Sequence, residues 1–320
     1  MLAPIALFVY NRPEHTRRTI EALQQNEMAG ESVLHVFADG PKMDASMDTK
    51  CRIDEVRAIV NDINGFKEVH LHLSVWNKGC ARSVREGVTE IVEHYERAIV
   101  VEDDIVTCPQ FLSYMNEALD MYANDHRIWS IGGNNINISL PENYLARHDT
   151  YLAHRTCSWG WATWADRWHD IDWEVKDAFK FFADLRAIRR FERGGEGMAQ
   201  MLRNQLEGKI DAWDIVWDYH IYKHNGFCLR PVKALAYNIG MDGSGTHYKS
   251  IDNPVEGQAP LFNPKSDTLH LEPHIRPNRE VQRIFYNYWS DTPILPWKTT
   301  VKRNIKKLLR QCGLMKQPQA

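Results

Sequence analysis

The stretch that decides the fold reads Ala98-Ile99-Val100-Val101-Glu102-Asp103-Asp104-Ile105-Val106. A continuous run of branched apolar residues is typical of a strand buried on both faces, as in a parallel sheet. Three consecutive carboxylates at the end of such a strand are costly unless a positive charge neutralises them. A divalent cation that carries phosphate oxygens would do so, since Mg²⁺ and Mn²⁺ favour oxygen ligands. The alternative is a solvated loop whose acids cap the helix that starts near Pro109.

The residues before this stretch alternate between predicted strands and predicted helices. The strands cover 3–10, 32–38 and 69–73, and the helices cover 14–25, about 53–63 and about 84–95. A fourth helix, about 109–124, and a strand, 128–134, follow the acidic stretch. Strands and helices that alternate in this way predict an α/β fold of parallel β-α units with right-handed crossovers.

The second half of the chain is less regular and richer in aromatic residues. It contains the tryptophan-rich segment 157–168, a charged helical stretch at 177–206, a helix opened by Trp213, and a strand at 227–237. Seven prolines fall within residues 250–297, which predicts a mostly irregular segment that wraps the protein. We therefore divide the chain into a regular α/β half, an aromatic-rich half of the same unit, a wrapping segment and a C-terminal helix: 1–135, 136–250, 251–296 and 297–320.

Composition narrows the class of protein. A formal net charge of −3 argues against a general nucleic-acid binder, and 43% hydrophobic residues are ordinary for a globular protein. The six cysteines include no C-x-x-C pair, so they predict reduced thiols rather than a zinc site or a disulfide framework. The apolar run at the start is too short to span a bilayer. We expect a cytoplasmic protein.

Polar residues follow the four predicted strands at the points where these strands end. They are Arg12, Asp39, Asn77 and Asp104. Because ligands of parallel sheets collect beyond the carboxyl ends of the strands, these side chains are expected to converge on one site. This convergence is a stronger indication of function than any of the short motifs alone.

At this point the sequence resembles glycosyltransferases of the GT-A fold, which use a nucleotide-sugar donor and a divalent metal. The closer resemblance is to the family of the Golgi N-acetylglucosaminyltransferase I and its bacterial relatives, where a strand ends in a small acidic cluster. Asn77 to Arg82 (N-K-G-C-A-R) also resembles the N-x-G-x-A-x loop of the large glycosyltransferase 2 family, but that family's Q-x-x-R-W element is missing. The matching places are Val9 to Arg12, Phe37 to Gly40, Glu102 to Asp104, and Gly160-Trp161 with Trp213-Asp214 behind them.

The resemblance implies a GT-A type, mostly parallel sheet flanked by helices, with an irregular, aromatic-rich acceptor half. Residues 1–135 would then be the nucleotide-sugar-binding half and residues 136–250 the acceptor and catalytic half. It also implies that Asp39 accepts a hydrogen bond from the base of the donor, although an Asp-Gly pair often only makes a turn. Trp159, Gly160 and Trp161 would form a platform for the acceptor, and tryptophans of this segment also pack in the core. The residues expected to bind the nucleotide-sugar are Tyr10, Asn11, Arg12, Asp39, Asn77, Arg82, Glu102 and Asp103.

The chemistry of glycosyl transfer assigns roles to the acidic strand end. Asp104 would hold Mn²⁺ or Mg²⁺ between the two phosphates, and Asp103 would orient the waters of the metal or a ribose hydroxyl. Arg12 would donate a fork of hydrogen bonds to the phosphates, unless it is a surface arginine at a helix start. His247, in a glycine-rich loop, is a further candidate metal or phosphate contact, and a solvated loop histidine is the alternative.

A carboxylate near Trp213 is the candidate general base. Asp214 is partly desolvated by the neighbouring indoles, which makes a carboxylate more basic. Asp218, one turn later on the same helical face, is the rival, and Asp211 is a weaker one. The alternative to a general base is a carboxylate that only stabilises the helix N-terminus through the helix dipole.

Together these features predict a metal-dependent, inverting hexosyl- or N-acetylhexosaminyltransferase. It would move a sugar from a nucleotide-sugar, with UDP as the expected nucleotide, to a hydroxyl of a glycan acceptor in cell-surface polysaccharide synthesis. One alternative is a sugar nucleotidyltransferase, which needs a G-x-G-x-R loop where Tyr10-Asn-Arg-Pro13 stands. A non-catalytic carbohydrate-binding protein is the other, but it gives no reason for aligned acids at several strand ends.

The C-terminal residues 297–320 carry seven basic residues and no acid. Apolar residues at helical spacing from Val301 to Cys312 form one stripe, and Trp297 stands at its start. Such a helix can lie on an anionic membrane, on the inner face of the cytoplasmic membrane, near a lipid-linked glycan acceptor. The alternative is a helix docked on the acidic body of the protein itself.

Overall fold

The computed structural model describes residues 1–243, 258–292 and 294, which form ten strands and eleven α-helices. The strands are β1 (Ile5–Val9), β2 (Val33–Ala38), β3 (Glu68–Leu73), β4 (Arg97–Glu102), β5 (Ile105–Thr107), β6 (Ile128–Gly132), β7 (Thr150–Ala153), β8 (Trp161–Trp164), β9 (Phe227–Pro231) and β10 (Ala236–Asn238). The helices are α1 (Pro13–Gln24), α2 (Met47–Asn61), α3 (Cys80–Tyr95), α4 (Phe111–Met121), α5 (Glu142–Leu145), α6 (Ala165–Trp168), α7 (Ala178–Ala183), α8 (Leu185–Phe191), α9 (Met198–Leu206), α10 (Trp213–Lys223) and α11 (Arg279–Tyr288).

Eight strands form one sheet in the order β3-β2-β1-β4-β8-β6-β9-β7. The first four are parallel, and β8 and β7 run against their neighbours, so six of the eight strands point the same way. Helices flank this sheet, which confirms the predicted class of a mostly parallel α/β fold. β5 and β10 form a separate two-stranded antiparallel ribbon directly after the acidic strand.

Both faces of the central strands are buried, as the continuous apolar runs predict. In β1, Ile5, Leu7 and Val9 belong to one apolar cluster, while Ala6 and Phe8 belong to a second cluster on the opposite face. β4 alternates between the same two clusters. The two layers of side chains therefore anchor the strand whose end carries the three acids.

Local sequence signals set the helix starts near the sheet edge. Pro13 occupies the first turn of α1, where a missing N–H costs nothing. Ser46 caps α2 by accepting a hydrogen bond from the Thr49 N–H at 3.1 Å. Gly79 precedes α3 with φ of +80°, a left-handed conformation that favours glycine. Each helix therefore starts where the loop after a parallel strand ends.

The aromatic segment differs from the irregular structure predicted for it. Its residues Trp161–Trp164 form β8, which lies between β4 and β6 near the middle of the sheet. The single strand predicted at 227–237 is instead divided between β9 in the main sheet and β10 in the ribbon. Lys233 lies between the two strands, and the chain crosses there from one sheet to the other.

The segment after residue 257 is partly irregular, as predicted, and partly helical. Residues 258–278 make two isolated bridges, at Gln258 and Leu261, and Phe262 reaches the main apolar cluster. α11 then packs Val281 and Phe285 near β7, a helix that the proline-rich composition did not predict. The predicted basic helix at 297–320 lies outside the described residues.

In the described part of the chain, no helix is both long enough and apolar enough to cross a membrane. The five cysteines of that part are free, which agrees with the prediction of reduced thiols.

Candidate active site

The carboxyl ends of β1, β2, β3 and β4 meet at one edge of the sheet. The pairing places Val9 beside Ala38, Ala38 beside Leu73, and Phe8 beside Glu102. The residues that follow these strand ends therefore share this edge, as the parallel arrangement predicts. Each of these residues has different contacts at the carboxyl edge of the sheet.

Asp103 is 4% exposed and is held from three sides. The Tyr10 N–H donates to its Oδ2 at 3.4 Å, Arg12 forms an ion pair with its Oδ1, and the Thr19 hydroxyl donates to its backbone oxygen at 2.8 Å. Burial raises the pKa of Asp103, and the Arg12 charge opposes that shift. Asp103 therefore links α1 to the end of β4, and its carboxylate is committed to protein contacts.

Arg12 bridges the last two acids of the triplet. Its Nη2 also lies 3.0 Å from Asp104 Oδ2, and the Arg12 and Asp104 side chains remain 19% and 13% exposed. Burial alone would lower the pKa of Arg12, but Asp103 and Asp104 outweigh it and raise that pKa. The positive charge that the acids need comes, in this arrangement, from Arg12.

The chain returns over this pair just after β10. Ile239 donates its N–H to the Asp104 carbonyl oxygen at 2.8 Å, and Gly240 follows directly against the two side chains. A Cβ atom at Gly240 would collide with Asp104 Oδ2 and would lie 2.8 Å from Arg12 Nη1. A side chain at this position would therefore force the Asp104 and Arg12 side chains to move.

The Gly240→Ala substitution is expected to destabilise the fold and to displace the Arg12–Asp104 pair. Forcing an extra carbon into a filled site costs about 1–3 kcal/mol, which corresponds to a clear fall in the urea midpoint of unfolding. Gly30→Ala is the matched control, because nothing lies within 4 Å of a Cβ placed there. If the two variants are equally stable, the space between the Gly240 backbone and the Arg12–Asp104 pair accommodates a methyl group, which would contradict this expectation.

Asp39 organises the loop that precedes α3. Its Oδ1 accepts hydrogen bonds from the Gly40 and Lys78 N–H groups, both at 2.8 Å. Its Oδ2 accepts from Asn77 Nδ2 at 2.9 Å and from the Gly79 N–H at 3.0 Å. Both oxygens are thus occupied by the protein, so the predicted contact with a nucleotide base would have to compete with this network.

The other residues expected to bind the nucleotide-sugar lie in different surroundings. Asn77 lies in the Asp39 network, and Tyr10 and Asn11 are half-buried beside β1. Arg82 instead projects from α3, where its side chain is 63% exposed and its Nε lies 2.6 Å from Glu86 Oε1. The structure therefore assigns Arg82 to a surface ion pair on its own helix.

A second group of acids approaches the site from α10 and the loop before it. Asp214 is half-buried and, among the described residues, accepts no hydrogen bond. Glu102, half-buried at the end of β4, has its pKa raised to about 8 by burial and by Asp104, Asp103 and Asp214. The Asp214 carboxylate is therefore near enough to add its charge to the electrostatic field at Glu102.

Cys80 lies among these acids, and sequence reasoning missed it. Its Sγ is 3.9 Å from Glu102 Oε2, and Asp211 Oδ2 lies 3.7 Å from a Cβ placed on the preceding Gly79. The surrounding protein atoms, together with Glu102 and Asp211, raise the pKa of the Cys80 thiol well above its usual value. In the sequence, Cys80 directly follows Asn77-Lys78-Gly79. This position after an N-x-G turn was the signal that could have identified Cys80 as a residue of the site.

Asp218 occupies a different environment from Asp214. It is 3% exposed, and its Oδ1 accepts a hydrogen bond from the Thr156 N–H at 2.6 Å. Burial raises the pKa of Asp218 to about 7, against the opposing Arg155 charge. Of the two rivals for the general base, Asp218 is thus enclosed and already bonded, whereas no described residue donates a hydrogen bond to Asp214.

The Asp218→Asn substitution is expected to change how stability depends on pH. Because the folded pKa is raised from 3.8 to about 7, the native state holds a proton that the unfolded state loses. The wild-type protein is therefore destabilised as pH rises through this window. We expect the variant to gain roughly 2–3 kcal/mol relative to wild type between pH 5 and pH 8, measured by urea unfolding. An unchanged stability difference at the two pH values would contradict the raised pKa.

The tryptophans form a packed cluster rather than an open platform. Trp161 is 1% exposed and lies 5.7 Å from Trp168 and 5.2 Å from Trp213, measured between ring centroids. The buried indole favours the core-packing alternative for the Trp161 side chain, and the acceptor role of this segment stays a prediction. Trp159 is half-buried, and the buried Gly160 adopts φ of +67° against the ring of Phe111. Of the three predicted acceptor residues, Trp159 alone keeps an accessible side chain.

His247 lies outside the described residues. The start of its glycine-rich loop is described, and there Asp242 Oδ2 lies 3.2 Å from His15 Nε2 of α1. This contact ties residues 240–243 to the first helix, on the side where Arg12 and Asp104 meet.

The fit of a divalent metal depends on Asp104. Within 1–243, 258–292 and 294, no group of three or more His, Cys, Asp or Glu side chains has the geometry of a metal site. Mg²⁺ and Mn²⁺ sites that carry phosphates do not need such a group, because one or two carboxylates and several waters complete them. The partly exposed Asp104 carboxylate therefore fits such an ion once Arg12 turns towards the phosphates.

No protein-family model and no curated protein matches the sequence. Among solved structures, the chain is similar over 52% of its length to 46% of the mannosyltransferase PcManGT from Pyrobaculum calidifontis in complex with GDP-Man and Mn²⁺, with 9% identity and a TM-score of 0.33. It is similar over 73% of its length to 36% of S. aureus TarS, with 13% identity and a TM-score of 0.40. For the 1–349 fragment of TarS, the shares are 75% and 61%, with 12% identity and a TM-score of 0.40. The chain thus spans less than two thirds of each of these structures.

Proposed function

We propose that the chain is a glycosyltransferase of the GT-A type that transfers a sugar from a nucleotide-sugar donor to a hydroxyl of a glycan. The observation that carries this proposal is the meeting of Arg12, Asp39 and Asp104 at the carboxyl edge of the parallel strands. Asp214 stands half-buried in the first turn of α10, and in this proposal it is the general base. A carbohydrate-binding protein would need neither a basic fork beside paired acids nor a free carboxylate opposite them.

The donor diphosphate would lie at the Arg12–Asp104 pair. Arg12 would turn its guanidinium from Asp104 to the phosphate oxygens, where its planar fork donates two hydrogen bonds. Asp104 would then be free to hold Mn²⁺ or Mg²⁺, which acts as a Lewis acid on the departing diphosphate when bound. Asp103 keeps its contact with the Tyr10 N–H and so holds the strand end in place.

The acceptor hydroxyl would be deprotonated by Asp214. The acceptor oxygen forms a bond to the anomeric carbon as the bond to the diphosphate oxygen breaks, and the diphosphate leaves with the bonding electron pair. The proton passes to an Asp214 oxygen, which accepts no hydrogen bond from the described protein. A base and a leaving group on opposite sides of the sugar give a single displacement with inversion.

We propose a UDP-sugar as the donor and a hexosyl or N-acetylhexosaminyl group as the sugar. The acceptor would be a glycan or lipid-linked glycan of cell-surface polysaccharide. The half-buried Trp159 could cover an apolar sugar face, because an indole ring offers a flat apolar surface.

A donor screen tests the proposal. The protein is incubated with UDP-sugars and GDP-sugars, with and without Mn²⁺, and the release of nucleoside diphosphate is measured. The proposal expects metal-dependent release from at least one donor. If the protein instead forms pyrophosphate from a nucleoside triphosphate and a sugar 1-phosphate, it is a sugar nucleotidyltransferase and the proposal fails. Absence of both reactions, with retained binding of free glycans, would indicate a binding protein.

A further inference from the structure

Helices α7 and α8 lie side by side over the C-terminal half of α10. Phe181 of α7 and Phe191 of α8 both pack against Tyr219, with ring centroids 4.9 and 5.7 Å away. The same two phenylalanines lie 6.1 and 5.4 Å from Tyr222. Both helices therefore turn their inner faces towards α10. Their outer faces point away from α10.

These outer faces carry large apolar side chains in the open. Phe179 of α7 is 89% exposed, and Leu185 at the start of α8 is 68% exposed. Phe179 is the most exposed aromatic side chain in the described part of the chain. Large apolar side chains gain free energy when they leave water, so Phe179 and Leu185 favour contact with an apolar phase.

Basic side chains surround these two apolar groups. The segment 179–193 holds five basic and two acidic residues, in a chain whose formal net charge is −3. Lys180, Arg186, Arg189 and Arg190 are exposed, and none of them makes an ion pair with the described residues. Asp184, between the helices, accepts a hydrogen bond from the Arg186 N–H at 2.7 Å and caps α8. We call Phe179, Lys180, Leu185, Arg186, Arg189 and Arg190 the α7–α8 surface.

We propose that the α7–α8 surface binds the surface of an anionic lipid bilayer. Phe179 and Leu185 would enter the boundary between headgroups and acyl chains, and the four cations would lie at the level of the lipid phosphates. An acidic protein or a nucleic acid would attract the arginines but would not account for both exposed apolar side chains. This combination selects a lipid surface among anionic partners.

The position of this surface relative to the site follows from α10. Asp214 lies in the first turn of that helix, and the tyrosines beneath α7 and α8 lie in its second half. A helix of this length spans roughly 16 Å, at 1.5 Å per residue. A bilayer bound at the α7–α8 surface would thus lie within about one helix length of the candidate site. The binding itself does not depend on the proposed activity.

Vesicle cosedimentation of the full chain tests the proposal. Wild-type protein is expected to sediment with vesicles of phosphatidylglycerol and phosphatidylcholine and to remain free with phosphatidylcholine alone. Salt at 0.5 M should release it, because the Debye length falls from about 10 Å at 0.1 M to roughly 4 Å. Arg186→Glu/Arg189→Glu/Arg190→Glu should weaken binding at least about a hundredfold, because each basic residue contributes roughly fivefold. Phe179→Ser should weaken it about tenfold or more.

A matched control carries the same change in charge elsewhere. Lys67→Glu/Lys265→Glu/Arg276→Glu alters three exposed basic residues that make no ion pair with the described residues, and it should bind as wild type does. If the arginine variant binds like wild type, another segment, such as 297–320, holds the membrane and the proposal is overturned. Loss of binding in the arginine variant with no effect of Phe179→Ser would indicate a purely electrostatic partner surface and would also overturn it. Circular dichroism confirms that each variant is folded.

Discussion

Asp104→Asn is expected to remove the Mn²⁺-dependent part of nucleotide binding while leaving the fold intact. The neutral amide loses the charge that would hold the ion, and at least about tenfold of Mn²⁺-enhanced affinity, or 1.4 kcal/mol, should disappear. The fold should survive because Arg12 keeps its ion pair with Asp103. Titration calorimetry with UDP, with and without Mn²⁺, measures the difference.

Asp62→Asn, an exposed substitution at the end of α2, is the control and should retain the full effect of Mn²⁺. If Asp104→Asn also binds UDP with wild-type Mn²⁺ enhancement, Asp104 does not hold the metal.

Asp214→Asn is expected to lower turnover by at least about a hundredfold with little change in donor affinity. A positioned general base typically contributes 10²–10⁴-fold, and an asparagine cannot accept the proton. The expected product has the anomeric configuration opposite to that of the donor. Initial rates with a confirmed donor and acceptor, together with NMR of the product, measure both quantities.

Two neighbouring acids distinguish the candidates for the base. Asp211→Asn changes an exposed carboxylate one turn earlier and should retain most of the activity. Asp218→Asn should act mainly on stability, because that side chain is buried and bonded to Thr156. An inactive Asp218 variant beside an active Asp214 variant would place the base one turn later, and retention of configuration would reject the single displacement.

The first four strands could be predicted because their signal is local. In β1 every position is apolar, in β4 the four positions from Ala98 to Val101 are, and both faces of the sheet are covered there, so hydrophobic runs alone identify these two strands. The helices between them follow from their apolar spacing. The direction of the strands then follows from the crossovers, and with it the edge at which Arg12, Asp39 and Asp104 lie.

β8 could not be predicted in the same way. It is four residues long, and its partners β4 and β6 are distant in sequence. Its tryptophans suggest an exposed platform as readily as a core, and only the packing of Trp161 on Trp168 and Trp213 decides between them. The division of 227–237 into β9 and β10 could not be predicted either, because it depends on which sheet each of the two parts pairs with.

At the site, sequence reasoning found the residues but not their contacts. The position of Arg12 after β1 predicted an anion partner, and in the structure the anions are Asp103 and Asp104 themselves. Asp39 was expected to contact a base, yet its oxygens hold the loop before α3. Side chains of opposite charge at one edge pair with each other when no ligand separates them, and a sequence does not show which pairs form.

In the proposed function, the sheet edge binds a nucleoside diphosphate together with a divalent metal. Titration calorimetry of the wild-type protein with UDP and GDP, each with and without Mn²⁺, measures this binding. One of these nucleotides is expected to bind at least about tenfold more tightly when Mn²⁺ is present. Equal affinity with and without the metal, or no binding of either nucleotide, would contradict it.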